Sequence, residues 1–463
     1  AETAIDATLN PDFSQIESDS PVIRTNQRFA IFVPEKRPFF LEGVELLKTP
    51  IQAVYTRTIT SPRFGARSTG KIGANAYTIL VAQDRGGGDV IVPSPIGSDF
   101  AQQTGSSTVL IGRYKRAIGE SFVGVLATAR QGGGAYNRVF GPDFEWRIGK
   151  HDTIDGQLLF SASSTPDRPD LATEWDGRKF SSHAADLLWS HQMEHFDFLT
   201  EAKDFGSQFR ADNGFVPQVG YRSNYAESGW TFRPSGFFSR VRTCAMGQYD
   251  SLQNGSMLYR MMSAGAGADG KYRSFTRVRF ADESFRVNDR MLPRRGIYFT
   301  EQFSPGRIFS QVSIDGFAGQ DIDFANGRTG RGASVAYGGT IRPTQHLEIQ
   351  LSNALNWLDV DGRRLFTAQA ERATFRYTFN SRTFVRAIVQ NERANQNVFL
   401  YAPRNVDQHS GDLAGQFLWA YKLNWQTVVY AGYGDLMEAA PVTGDLLRST
   451  RQFFVKVSYA FQQ

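Results

Sequence analysis

Apolar and polar residues alternate with a period of two through most of this chain, most cleanly at its end. Over 452–462 the sequence places Phe453, Val455, Val457, Tyr459 and Phe461 on one face, and Gln452, Phe454, Lys456, Ser458, Ala460 and Gln462 on the other. Successive side chains of a β-strand point to opposite faces, so this segment reads as a ribbon with one apolar and one mostly polar side. The same pattern sets Leu347, Ile349, Leu351, Leu355 and Trp357 against Glu348, Gln350, Ser352 and Asn356. It sets Ala373, Phe375, Tyr377 and Phe379 against Arg372, Thr374, Arg376 and Thr378, and Phe417, Trp419, Tyr421 and Leu423 against Gln416 and Lys422. Thr276, Val278 and Phe280 oppose Arg277 and Arg279. Apolar repeats at helical spacing are almost absent, so the fold class is all-β. Lipid on one side, water on the other and aromatics at both ends of the apolar face are the signature of a transmembrane barrel strand. A strand of a soluble sandwich is amphipathic too, so the connections must decide.

The connections alternate short and long. Tight turns are predicted near Gly73–Asn75, Ile118–Glu120, Gly149–Asp152, Glu194–Phe196, Pro234–Gly236, Ala268–Gly270, Pro305–Gly306, Pro343–Gln345, Ser381–Arg382 and Leu423–Trp425. Longer polar loops are predicted near 84–106, 131–141, 164–179, 208–225, 283–296, 320–330, 393–411 and 434–450, with weaker ones near 250–256 and 358–364. Outer-membrane barrels keep this asymmetry, whereas a Greek-key sandwich has no reason to. Counted from Ile51, the pattern gives about 22 antiparallel strands, within a range of roughly 20–26, each near the 9–11 residues that a tilted spanning strand needs. The expected domains are an N-terminal strand at 1–9, a plug or periplasmic cap at 10–50 and the barrel at 51–463.

Composition fits this picture. The 463 residues are 41% hydrophobic and 13% aromatic, with 44 glycines and no apolar run long enough for a transmembrane helix. A single cysteine, Cys244, forms no internal disulfide, which an oxidising compartment tolerates. The net charge of +5 comes with roughly four arginines for every lysine, interspersed within strands rather than gathered in a basic tail. That argues against nucleic acid as a partner and for arginines lining a lumen, with Arg277, Arg279, Arg372, Arg376 and Lys456 as the lumen-facing charges. Phe453, Val455, Val457, Tyr459 and Phe461 are the corresponding lipid-facing set. No basic, apolar-cored leader opens the sequence, so a mature chain or the C-terminal portion of a longer one is expected.

Residues 10–50 break the alternation. Prolines and dense charge exclude a membrane-facing strand, while Phe13, Phe29, Phe32, Phe39, Phe40 and Leu41 demand something to pack on. One helical turn is predicted around Asn26–Phe32. A barrel of this size has a lumen too wide for side chains alone, and such barrels are often plugged. The segment is therefore expected to plug the lumen or cap its periplasmic mouth, with Glu35, Lys36, Arg37 and Glu42 linked to inward arginines such as Arg277 and Arg376. On that picture, removing 12–45 raises conductance and leaves the wall intact.

The same residues carry a resemblance. Asn10-Pro11-Asp12-Phe13-Ser14-Gln15-Ile16-Glu17-Ser18-Asp19, then Phe32-Val33-Pro34-Glu35-Lys36-Arg37-Pro38-Phe39-Phe40-Leu41-Glu42-Gly43, then Val54-Tyr55-Thr56-Arg57-Thr58-Ile59 resemble the signature of a family of uncharacterised bacterial outer-membrane proteins. Its members typically join an N-terminal domain similar to family 9 carbohydrate-binding modules to a C-terminal barrel. The match covers roughly 6–83, and the carbohydrate-binding domain is absent from this chain. Thr3–Leu9 looks like the second strand of the family's first barrel hairpin, so cleavage or a further upstream domain is expected. The resemblance implies architecture, an outer-membrane location and a glycan as candidate cargo by analogy; it implies no activity.

Chemistry is sparse. His191 and His195 flank a predicted turn, where a four-residue spacing does not pair them. Asp321 and Asp323, with Asn326-Gly327, are the weak candidates for Ca²⁺ ligands in a predicted outer loop. No Gly-x-Ser-x-Gly elbow is visible, no catalytic residue is assigned and no cofactor is expected. Three functions remain open. The first is an outer-membrane pore or translocation channel restricted by 10–50, whose arginines favour anionic or hydrogen-bonding solutes. The second is a non-conducting scaffold that docks a periplasmic or surface protein. The third is a barrel-borne hydrolase.

Overall fold

The computed structural model describes residues 2–13, 16–103, 105–170, 173–424 and 426–459. Phe461, Ala460 and Gln462 of the predicted last strand, and Ser14 and Gln15 of the N-terminal motif, lie outside the described residues.

The strands are β1 (Glu2–Leu9), β2 (Pro62–Ile72), β3 (Asn75–Asp84), β4 (Asp89–Pro93), β5 (Ser98–Gln102), β6 (Ser107–Ile118), β7 (Ser121–Gly132), β8 (Ala135–Ile148), β9 (Asp152–Ser164), β10 (Lys179–Gln192), β11 (Phe196–Phe205) and β12 (Tyr221–Phe232). They continue as β13 (Phe238–Leu252), β14 (Met257–Gly270), β15 (Ser274–Val287), β16 (Arg290–Phe303), β17 (Phe309–Asp323), β18 (Arg328–Ile341), β19 (Leu347–Val360), β20 (Arg363–Thr378), β21 (Thr383–Gln396), β22 (His409–Lys422), β23 (Thr427–Ala439) and β24 (Leu446–Tyr459). Twenty-two belong to one sheet, while β4 and β5 form a separate hairpin. Pairing is antiparallel in β1–β2, β2–β3 and β3–β6, between successive strands from β6 to β11, and between successive strands from β15 to β24. The strand number agrees with the expected 22, by a different route. Residues 51–61 hold no strand, the wall after the N-terminal segment opens at Pro62, and β1 supplies the remaining strand.

The ten predicted tight turns fall at or within a few residues of junctions between consecutive strands. Gly119 and Gly149 sit in two of them with φ of 62° and 63°, a conformation that two-residue hairpins require and glycine adopts without strain. The opposite ends correct the sequence reading. Around 131–141, 283–296 and 358–364 the ladder continues to within two residues of the reversal, at Gly133–Gly134, Asn288–Asp289 and Asp361–Gly362. The loops at 320–330 and 434–450 also shrink. Strands accordingly run to 16 residues, beyond the expected 9–11. Backbone pairing does not need alternating side chains. Where both faces of a strand meet water, the polarity signal fades while the hydrogen-bond ladder persists. Long connections remain at 85–106, 165–178, 206–220 and 397–408.

The chain divides into two compact units. The first holds Ala1–Phe13, Gln27–Gly229 and Met246–Met261. One face of its wall exposes Ile79, Leu110, Tyr114, Phe140, Phe160, Leu187 and Trp189. The opposite face presents Leu80, Ala82, Val109, Ile111, Leu126, Val139, Leu159 and Ala184, all buried. They are covered by Phe40, Leu47 and Ile59 in one cluster, and by Ile51, Ala53, Phe205, Phe209, Val216 and Val219 in another.

The second unit holds Ser14–Asn26, Trp230–Ala245 and Met262–Gln463. Its register lines up Ile349, Phe375, Ala387, Phe417, Tyr433 and Phe453 in one row across β19–β24. Leu347, Tyr377, Val385, Trp419, Ala431 and Val455 form the next. Cross-strand neighbours of this kind are the unit of sheet stabilisation. Phe453, Val455, Val457 and Tyr459 are 71%, 64%, 62% and 51% exposed. Toward the tight-turn end the row is aromatic, with the Trp419 and Tyr421 rings parallel at 6.0 Å.

Candidate functional site

The N-terminal segment carries the densest set of unusual contacts, and the two units hold it by different chemistry. In the first unit no helix forms over Asn26–Phe32. Asn26 adopts a left-handed turn (φ 62°), and the helical turn lies instead at Pro38–Leu41. Proline is suited to that first helical position because its missing N–H would be unpaired there anyway. A 3₁₀ turn follows at Val44–Leu47, entered through Gly43 in the left-handed region.

The Pro34-to-Gly43 motif is a self-contained lock. Arg37 Nε and Nη2 donate to the two oxygens of Glu35 at 2.8 and 2.7 Å, a bidentate pair. Its remaining donors reach the carbonyls of Ile59 at 2.7 Å and Thr56 at 2.8 Å. The guanidinium lies 4.3 Å from the Phe40 ring centroid and 5.5 Å from that of Phe13. Glu35 also accepts from Thr56 Oγ1 at 2.7 Å and from the Lys36 and Arg37 amides. Burial pushes the Glu35 carboxyl up. The hydrogen bonds and charge of Arg37, with the Thr56 bond, outweigh this and hold it below the ordinary carboxylate range. Glu42 accepts from Arg67 Nη2 at 3.1 Å, as does Asp6 at 3.0 Å. Asn10 accepts from Arg85 at 2.5 Å.

Further along, the Ile51 amide donates to Gln157 at 2.8 Å and the Phe215 amide to the Gln52 carbonyl at 2.8 Å. Gly214 makes that approach possible, because a Cβ there would stand 2.7 Å from the Gln52 oxygen. Beneath lies Arg130, 2% exposed. It donates to Asn213 Oδ1, the Gly87 carbonyl, Ser107 Oγ, and the carbonyl and hydroxyl of Thr58. A buried charge is tolerated when its donors are satisfied in this way. In the sequence Arg130 is indistinguishable from any lumenal arginine of an alternating strand.

In the second unit the contacts are mostly polar, with Ile23 packed on the buried cluster of Leu358, Val360 and Leu400. Glu17 meets Arg372 Nη2 at 2.5 Å and Arg386 Nη1 at 3.8 Å. Arg372 Nη1 donates to Gln390 at 2.6 Å, the Asp19 carbonyl at 2.9 Å and Ser18 Oγ at 3.3 Å. Gln416 donates to the Ile16 carbonyl at 3.3 Å, and Asn26 donates to the Ile322 carbonyl at 2.8 Å.

Several expectations change. Ion pairs between the segment and wall arginines exist, but Glu17–Arg372 and Glu42–Arg67 form them. Glu35 and Arg37 pair with each other. Removing 12–45 would take Phe40, Phe13 and Phe39 from the cluster over Leu80, Val109 and Ile111, while Leu47, Ile51, Ala53 and Ile59 stay on the wall. Arg277 and Arg279 share a face opposite the exposed Val278 and Phe280, with Arg279 4.4 Å from the Tyr298 ring centroid. Lys456 is half-buried opposite Tyr430. Asp321 and Asp323 end strand β17 rather than occupying a loop. Asp321 accepts from Arg294 at 2.7 Å and Asp323 from Arg328 at 2.8 Å, so guanidinium groups fill the place foreseen for calcium. His191 Nδ1 donates to Asp152 Oδ1 at 2.9 Å across the β9–β10 pair.

Residues 2–76 match the model of a domain of unknown function, DUF5916. No curated protein matches the chain. Among solved structures, a mutant of the ferric enterobactin receptor PfeA from Pseudomonas aeruginosa is similar at a TM-score of 0.51 and 10% identity, covering 86% of this chain and 77% of that one. The siderophore receptor PirA from Acinetobacter baumannii follows at 0.49 and 9%, with the same coverages. At such identity the likeness to PfeA speaks for the fold. With twenty-two wall strands and an exposed apolar face, this chain has the fold of an outer-membrane transmembrane β-barrel.

Proposed function

We propose that this chain is an outer-membrane channel whose lumen is restricted by residues 10–61 and which passes a polar solute. One observation carries the reading. In each unit the N-terminal segment lies on the wall face opposite the exposed apolar face. In a membrane barrel the face away from lipid is the lumenal one, so the segment acts as a plug. Residues 27–61 are its fixed part, and 16–26, held mostly by polar contacts and by fewer apolar ones, are the part that can leave. A scaffold that docks a partner and conducts nothing is the second reading, favoured by the dry packing of 37–59.

Planar-bilayer recordings separate the two. The native chain is compared with a variant in which 16–25 are replaced by a glycine–serine run of equal length, which keeps the chain connected and the first unit's core covered. The channel reading expects higher conductance from the variant. Equal silence from both, with the variant still heat-modifiable on gels, would discard the channel and leave the scaffold.

A further inference from the structure

The inward arginines of β20 and β21 are placed against simple electrostatics. Arg376 and Arg386 are direct cross-strand partners, and like charges so placed destabilise a sheet. Arg372 stands on the same face of β20 and, like Arg376, acts electrostatically on Arg386. The wall does little to neutralise them. Glu348 is the cross-strand partner of Arg376 on its other side, but its carboxylate is held by Arg342 at 2.6 Å. Among the described residues Arg376 makes no ion pair; its guanidinium lies 4.9 Å from the Phe384 ring centroid.

The counter-charge comes from outside the wall. Glu17, on the N-terminal segment, turns one carboxylate oxygen to Arg372 and the other toward Arg386. Arg372 is already oriented for this. It is 7% exposed, and Gln390 of the neighbouring strand holds one arm of its fork while the other arm holds the carboxylate. A planar guanidinium fork matches carboxylate and phosphate oxygens. Glu17 meets two of the three guanidinium groups, and one carboxylate cannot neutralise three of them.

We infer that Arg372, Arg376 and Arg386 form a lumenal binding site for a multivalent anion bearing carboxylate or phosphate groups, and that Glu17 occupies it as an internal stand-in. A multivalent anion neutralises all three arginines, which Glu17 cannot, so it displaces Glu17 and with it the 16–19 segment. The link to transport rests on the channel reading; the binding site does not.

The test is equilibrium binding of citrate and of inorganic phosphate to the purified full chain in detergent at low ionic strength. Glu17→Gln removes the internal competitor, and apparent affinity rises by the inverse of the fraction of sites that were free, here about tenfold or more. Arg372→Gln weakens binding by at least about tenfold, the scale expected for loss of a charge-assisted contact. Arg376→Gln, on an exposed side chain without an ion pair, weakens citrate more than phosphate and carries the test if Arg372→Gln fails to assemble. Arg451→Gln, on β24 away from the cluster, changes neither. Binding of citrate alone assigns a carboxylate ligand, and binding of phosphate alone assigns a phosphate ligand. Binding of neither, or binding that Glu17→Gln leaves unchanged, overturns the site. A silent bilayer with intact anion binding removes the channel and keeps the site; conductance without anion binding does the reverse.

Discussion

The inner faces of the two units differ more than their outer ones. Outside, both present exposed Phe, Leu, Ile and aromatic side chains in register. Inside, the first unit places Leu80, Val109, Ile111, Leu126, Val139 and Leu159 under Phe40, Ile51 and Ile59. The second places Arg372, Gln390 and Gln416 under Glu17 and Ser18. One stretch of chain is therefore held mainly by a dry core in one place and mainly by half-buried ion pairs in another. Burying an aliphatic or aromatic side chain is worth about 1.5–3 kcal/mol, whereas a partly hydrated pair is worth about 1 kcal/mol or less. The contrast separates an anchor from a strap.

The largest effect is expected where the anchor combines charge with burial. Arg37→Ala leaves Glu35 buried without its partner, a loss of about 3–5 kcal/mol. Amide exchange should rise across 35–59. Protection as in the native chain would mean that the lock adds nothing to the anchor.

The outer faces should respond alike. Phe160→Arg in the first unit and Val455→Arg in the second should each lower barrel stability by about 2–4 kcal/mol at mid-belt depth and less near the interface. Unequal costs in urea titrations of the refolded barrels would show that the units differ outside as well as inside.

Acid should act on the anchor before the wall. The Glu35 carboxyl is held below its ordinary value, so its contribution is fully present above the ordinary pKa and is lost as pH falls through the lowered one. Exchange at 55–59, corrected for intrinsic rate, should therefore rise only below the usual carboxylate range. Glu35→Gln should remove that dependence. A rise near neutral pH would assign the sensitivity to another group.

The smallest effect belongs to the strap. Glu17→Gln should change global stability by about 1 kcal/mol or less. It should nevertheless increase exchange at 16–26 and leave 37–59 untouched. Coupled changes in both stretches would merge anchor and strap into one element.

The last strand illustrates what a linear pattern conveys. Phe453, Val455, Val457 and Tyr459 are exposed on one face, as the period of two requires, and most of the ten tight turns carry glycine, proline or asparagine, though Glu194–Phe196 does not. The pattern misled where polarity stopped alternating. Glu283, Arg294 and Arg295 read as a loop, yet Glu283 pairs with Arg294 and Arg295 with Asp282 across β15 and β16. The N-terminal segment was recognisable as something other than wall, and Phe40 as one of its buried residues. Its continuation through Ile51, Ala53, Tyr55 and Ile59 was not, because short apolar spacing there imitates a strand.

Sequence by itself determined the all-β class, the approximate strand number, the apolar outer face and the existence of a separate N-terminal segment. All are local properties, set by side-chain period and turn chemistry within a few residues. Only the tertiary structure decided that Arg37 locks Glu35, that Glu17 is the acid meeting Arg372, that Arg376 faces Arg386, and that Leu80 and Leu159 belong to a dry interior rather than a wet lumen. Those pairings join residues far apart in the chain. An inward leucine or arginine looks the same in sequence whether water, a carboxylate or another side chain covers it.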